Sequence, residues 1–261
     1  MRSHDFDSER NGPGLFFILV TLVVVAVLGA RYLGFYPPGG LKGLIPPRVA
    51  REAAAPAGPV VAIYHTHTSE SYAPGESHAR GKAGEIVEVG KAFKEALAER
   101  GISAVHAETV HDYPVFKDAF DNAYETITEQ LAQNASVKMV FDLHRDGLPP
   151  EVDPSATTAV VNGEKVAKVA FVVGDEDNPH VAENLAFAEN LSAKLNELHP
   201  GLSRGVKVQH GSFNLRVCPQ AVAVFIGSYP QNTVEEAERA AALLADAVAA
   251  MVTPAKPVEE R

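Results

Sequence analysis

His65, His67 and Glu70 stand within six residues of one another in "IYHTHTSESY", and a second polar group, His144, Arg145 and Asp146, closes "VFDLHRD". Two imidazoles and a carboxylate at tetrahedral distances, with a fourth position left for water, make a catalytic zinc site. Each group follows a short apolar run. In open α/β sheets ligands collect beyond the carboxyl ends of strands, so both groups are expected to face one crevice. Thr66, Thr68 and Ser69 are available to orient the imidazoles by hydrogen bonding. The single cysteine, Cys218, excludes an intrachain disulfide framework and any cysteine-based zinc cluster, so a metal must rest on histidine and carboxylate. His106, His111, His180, His199 and His210 lie in loops or at element ends without matching carboxylates, and are read as solvated. "HRD" also occurs in kinase catalytic loops, but the later Asn and a Gly-rich phosphate loop are missing. "HTH" is reminiscent of amidohydrolase barrels, which need eight strand-helix units that this chain does not supply.

The elements that must position these residues are legible in the periodicity. "VVAIYHT", "ISAVHA", "VKMVFDLHRD" and "AVAVFIG" read as buried strands. "GEIVEVGKAFKEALAER" places Ile86, Val89, Phe93 and Leu97 on one helical face, with Gly101 as its stop. "KDAFDNAYETITEQLAQ", "HVAENLAFAENLSAKLNEL" and "NTVEEAERAAALLADAVAAMV" read as helices, the last with Thr233 and Glu236 at capping-box spacing. Asn162-Gly163 between two β-branched runs signals a hairpin. Strands alternating with helices predict an α/β fold: a mainly parallel sheet with flanking helices and an inserted β-hairpin.

With 261 residues, 46% of them hydrophobic, the chain can bury a sizeable core. A net charge of -10 without clustered Lys and Arg argues against sequence-independent nucleic-acid binding. Residues 14–30, "GLFFILVTLVVVAVLGA", carry no charge and continue into "YLGFY", which suits a single membrane span with interfacial Tyr32 and Tyr36. No small-x-small cleavage site follows, so an uncleaved anchor is expected rather than a signal peptide. The organisation expected is an N-terminal cytoplasmic tail at 1–13, a transmembrane anchor at 14–36, a Pro/Gly/Ala-rich linker at 37–58, a folded domain at 59–253 and a flexible tail at 254–261. Arg31, Lys42, Arg48 and Arg51 outnumber Arg2 and Arg10, so the positive-inside rule alone would put the domain in the cytoplasm.

"IYHTHTSESY", "VGKAFKEALAERGI", "HDYPVF", "VFDLHRD", "FVVGDEDNPHVAENLAFAENL", "GSFN" and "GSYPQNTVEEA", in this order, resemble the stage II sporulation protein P family of spore-forming bacteria. The resemblance implies a membrane-anchored, zinc-dependent peptidoglycan hydrolase with an amidase-like fold, related to the N-acetylmuramoyl-L-alanine amidases. It implies cleavage of the muramoyl-L-alanine amide, with stem-peptide cross-links as a further target, and a lytic transglycosylase partner during engulfment. Such a substrate places the domain on the extracytoplasmic side, against the charge count. By position, the resemblance makes His67 and His144 the metal histidines and His65 a candidate beside them. It leaves Glu70, Glu85 and Glu88 as candidate carboxylate ligands, Glu70 preferred, and Arg145 and Asp146 as residues shaping the site. Members carry a general-base glutamate in the last strand where this chain has Phe225. The proton must then be moved by another carboxylate, with Glu76, Asp146, Glu235 and Glu236 as candidates, or the protein is a catalytically impaired module that binds peptidoglycan or regulates a partner hydrolase.

Overall fold

The computed structural model describes residue 58 and residues 60–252. The expected tail, the span at 14–36, most of the linker and the C-terminal tail lie outside the described residues. Among the described residues no helix is long and apolar enough to cross a membrane.

Strand β1 (Val61–Tyr64) is buried at every position, as strands covered on both faces must be, and its apolar run is the sequence mark of that burial. It pairs in parallel with β2 (Ala104–His106) and with β3 (Met139–Gly147). Strand β3 pairs in parallel with β8 (Ala221–Tyr229). Strand β6 (Val169–Gly174) runs antiparallel to β8, and β7 (Ser203–Gln209) closes the edge parallel to β6. The six-stranded sheet has the order β2-β1-β3-β8-β6-β7, so the expected mainly parallel sheet holds, with one antiparallel junction. The hairpin, β4 (Thr158–Val161) and β5 (Glu164–Ala167), forms its own two-stranded sheet. Asn162 at φ 53° and Gly163 at φ 85° make the turn, with both central residues at positive φ as a type I′ hairpin demands. Strand β7 was not expected, because "SRGVKVQ" reads as an exposed polar segment.

Helix α1 (Ile86–Glu99) buries Ile86, Val89, Phe93 and Leu97, the four positions on the apolar stripe, and Gly101 at φ 75° ends it. Phe93 meets Phe141 of β3 edge to face at 5.2 Å, and Phe141 meets Phe187 of α3 (Val181–Leu198) at 5.9 Å. Those two helices and α4 (Val234–Val252) pack together on one side of the sheet. Of the capping box at the start of α4, one half forms: Glu236 N donates to Thr233 Oγ1 at 3.4 Å, while the Glu236 carboxylate accepts from Asn232 Nδ2. His144 lies an odd number of residues from Phe141 and so faces the other side. There α2 (Ala119–Gln133) packs on β1 and brings Phe120 to His67.

Candidate active site

The carboxyl ends of β1 and β3 lie side by side, and the backbone turns away from β1 at Thr66. Thr66 donates twice to Asp142 of β3, from N at 2.8 Å and from Oγ1 at 2.6 Å. That clamp carries His67 over to β3, where its ring lies 5.5 Å from the ring of His144. Glu70 follows one turn later: its Oε2 accepts from Arg145 N at 3.0 Å and stands 3.5 Å from His144 Nδ1. Thus His67, Glu70 and His144 come together.

His144 is held between two carboxylates, with Asp142 Oδ2 3.1 Å from Nε2 at an oblique angle and Glu70 on the Nδ1 side. Burial alone would push its imidazolium toward deprotonation, but Asp142 and Glu70 outweigh burial and raise it to about 10. Asp142 shows the converse: burial works against its charge, and His144 and Thr66 still hold it below the usual carboxylate range. His67 is different. Burial first, and His144 second, push it down, so it is neutral and able to donate a lone pair.

Several sequence candidates stand elsewhere. His65 follows Tyr64, whose register partner is Asp142, and so points to the side of the sheet away from His144, because successive strand residues point apart. Its Nδ1 lies 3.2 Å from the Leu143 carbonyl and its Nε2 2.7 Å from His106 Nε2. A carbonyl only accepts, so His65 carries its proton on Nδ1 and His106 donates from Nε2. His65 therefore touches neither His67 nor His144 and acts on the site only by fixing the β3 backbone. Of the other carboxylates, Glu85 accepts from Tyr72 N at 2.8 Å and Glu88 pairs with Lys91 at 3.0 Å. Together with exposed Glu76 they line a cleft of about 590 Å³ that includes neither His67 nor His144. Asp146 pairs with Arg204 at 3.0 Å, and Glu235 is exposed at the start of α4. Arg145 turns away from the histidines, holding the 71–77 loop through the carbonyls of Ser71 at 3.1 Å and Ser77 at 2.7 Å. Phe225, in register with His144, stacks on it at 5.0 Å with planes 16° apart.

Of the histidines read as solvated, His111 is buried and the side chain of His106 is too. His111 donates from Nδ1 to the His65 carbonyl at 2.7 Å and accepts from Thr126 Oγ1 at 2.8 Å, bracing the turn that carries His67. Asp142 was missed altogether. A carboxylate two residues before a strand histidine shares its face, and that spacing was the available signal.

Among the described residues no three histidine, cysteine or acidic side chains stand close enough to hold a metal ion as they lie. The donor chemistry nonetheless fits zinc. The Asp142 carboxylate beside His144 is the arrangement that orients a zinc-bound imidazole, two carboxylates around one ring favour a cation, and His67 Nδ1 is buried without a partner.

A mixed α/β sheet flanked by helices, with a buried histidine-carboxylate cluster at the carboxyl ends of its parallel strands, defines the class. Residues 45–249 match the model of the family described as Stage II sporulation protein P (SpoIIP), and the chain belongs to that family. It is 32% identical over 216 residues, 76% of this chain, to "Stage II sporulation protein P" of Bacillus subtilis (strain 168), and it spans about half, 52%, of that curated relative's length. Similar solved structures include N-acetylmuramoyl-L-alanine amidase AmiC2 of Nostoc punctiforme, at 14% identity over 74% of this chain and 95% of that one with a TM-score of 0.44. Another is an N-acetylmuramoyl-L-alanine amidase from Clostridium difficile 630, at 15% identity over 74% and 94% with a TM-score of 0.46. Scores of this size leave the family match as the identifying observation.

Proposed function

We propose that the chain is a zinc-dependent peptidoglycan hydrolase of sporulation that cleaves the muramoyl-L-alanine amide. It is held by the span at 14–36 with its domain at 59–253 on the extracytoplasmic side, and it works beside a lytic transglycosylase. Family membership and the Asp142-His144-Glu70 arrangement support the reading; that arrangement is the observation that carries it. His67, Glu70 and His144 would hold the zinc, which when bound polarises a scissile carbonyl and acidifies a water. The Asp142 carboxylate, 3.1 Å from His144 Nε2, would favour a proton on that side and leave Nδ1 on the Glu70 side. The Arg145 backbone N–H steadies the Glu70 carboxylate. Phe225 covers one face of His144 and keeps water from it. Asp146 and Glu76 remain candidates for moving the proton once substrate fills the cleft, since hydrogen bonds in an unliganded site often tighten only on binding.

One observation favours a second reading. Phe225 puts a ring, not a carboxylate, beside His144, as expected of an impaired module that binds peptidoglycan or regulates a partner hydrolase. The experiment is metal analysis of the full chain combined with mass spectrometry of digested wall. About one zinc per chain is expected, lost in His67→Ala and in His144→Ala because each removes one of three protein ligands, together with products bearing a free L-alanine amine. A chain with zinc that leaves the wall intact supports the second reading, and a chain that takes no zinc overturns the first.

A further inference from the structure

Phe116 lies parallel to His67, with ring centroids 4.6 Å apart and planes 3° apart. Apart from an edge contact with His78 at 6.3 Å it stands largely in water, 55% exposed, and Tyr113, which lines the same cavity, is 49% exposed. Two large aromatic rings left in water next to a reaction centre are a binding surface in search of an apolar face. They line a cavity of about 410 Å³ together with Ser69, His78, Arg80 and Asp112.

Asp112 supplies the second, independent observation. It is 7% exposed, and its Oδ2 accepts from Ser69 N at 3.1 Å and from Ser69 Oγ at 2.5 Å. Its Oδ1 is buried and has no partner. An acceptor on a buried carboxylate left unpaired is costly, and nearly every such group in a native protein has a donor. The lining leaves that donor to come from an occupant.

We infer that this cavity is a saccharide subsite, taking an N-acetylated hexosamine ring of the glycan strand whose C–H face lies on Phe116 and Tyr113 and whose hydroxyl or amide N–H donates to Asp112 Oδ1. The inference rests on the peptidoglycan reading above. A pyranose ring is apolar on its faces and rich in donors at its edge, which is the complement of flat aromatics beside an unpaired carboxylate oxygen. An apolar protein segment would cover the rings and leave Asp112 unsatisfied. Position agrees as well: the sugar joined to the scissile amide must lie next to the proposed metal ligands, and Phe116 stacks on His67. The stem peptide, on the far side of the amide, then leaves this cavity to the sugar.

The full chain in detergent is titrated with the GlcNAc-MurNAc disaccharide lacking peptide, and separately with the free stem peptide, for wild type, Phe116→Ala, Tyr113→Ala and Asp112→Asn. Phe116 and Tyr113 are exposed, so their loss leaves the core packed; unchanged zinc content checks that the centre is intact. About tenfold or greater weakening of disaccharide binding is expected in each variant, with stem-peptide binding unchanged, and in wall digestion a raised KM with little change in kcat. Disaccharide that binds all four proteins equally, or binds none, overturns the subsite. The two readings fail separately. A wild type that binds disaccharide through Phe116 but releases no wall products defeats the hydrolase and leaves the subsite. Wall cleavage with a KM indifferent to Phe116, Tyr113 and Asp112 defeats the subsite and leaves the hydrolase.

Discussion

His144 stands between Asp142 and Glu70 with almost no access to water, and an imidazole so placed must share its site with a proton or a metal cation. In the proposed zinc site Asp142 would act at one remove. Asp142→Asn keeps the size and the link to Thr66 but removes the negative charge 3.1 Å from His144 Nε2. Zinc affinity measured by chelator competition is expected to fall about 10- to 100-fold, the usual effect of losing a partner behind a ligand. Unchanged affinity would reduce Asp142 to a clamp for Thr66. Phe225 offers the complementary test. Its strand position is in register with His144, so Phe225→Glu places a carboxylate against the ring that now carries only a phenyl face. A positioned base contributes about 10² to 10⁴ in rate, and wall turnover is expected to rise toward that range. A variant that keeps its zinc and gains nothing would show that another group already moves the proton.

At the scale of elements, α1 and the ends of β1 and β2 depend on the absence of one methyl group. A Cβ on Gly90 would stand 2.5 Å from His106 Nε2 and 2.8 Å from His65 Nε2. Alanine gains about 1 kcal/mol of helix propensity over glycine, whereas forcing an extra carbon into a packed interior costs about 1–3 kcal/mol. The second term should win, since both rings are fixed by hydrogen bonds, so Gly90→Ala is expected to lower the urea midpoint. A raised midpoint would mean the histidine pair yields freely. The same pair makes an acid limb. Burial lowers His106 from its ordinary 6.5 to about 4, so no stability is at stake above pH 6.5. Below it, the unfolded chain takes a proton that the folded one refuses, and stability falls by up to about 1.4 kcal/mol per pH unit until about pH 4. His106→Asn is expected to show a shallower loss between pH 6.5 and 4.5 in denaturation, and parallel slopes would remove His106 as the cause. That pair was invisible in the sequence. Its partners are 41 residues apart, and nothing local tells a buried histidine from a solvated one. Strand β1, which carries His65 at its end, was legible because burial at every position leaves an unbroken apolar run, and the hairpin because Asn162-Gly163 admits few other conformations. The edge strand β7, half in water with Gly205 at φ 87°, lacks both signals.

For the whole molecule, the location of the chemistry follows from the sheet: four parallel strands bring the ends of β1, β3 and β8 to one edge, and His67, Glu70 and His144 are at or just past those ends. That much could be read from two polar groups closing two apolar runs. Which imidazoles meet could not, because the separation of His65 from His67 depends on how the chain turns after Tyr64. The placement of this domain relative to the membrane sets two physical rules against each other. Arg31 near the end of the proposed span and Lys42, Arg48 and Arg51 after it outnumber Arg2 and Arg10 before it, which by the positive-inside rule turns the C-terminal side inward. A wall polymer, however, lies beyond the bilayer, and a domain that cuts it must lie there too. The charge difference is small, acidic residues count little in that rule, and the long domain that follows translocates largely regardless of nearby charge. Export is therefore the expected outcome. Protease added to intact protoplasts should remove the domain while leaving a membrane-embedded fragment of the first residues, and a cytoplasmic marker should survive in the same sample. If the domain resists until the cells are lysed, it faces the cytoplasm, and the peptidoglycan reading falls with the topology.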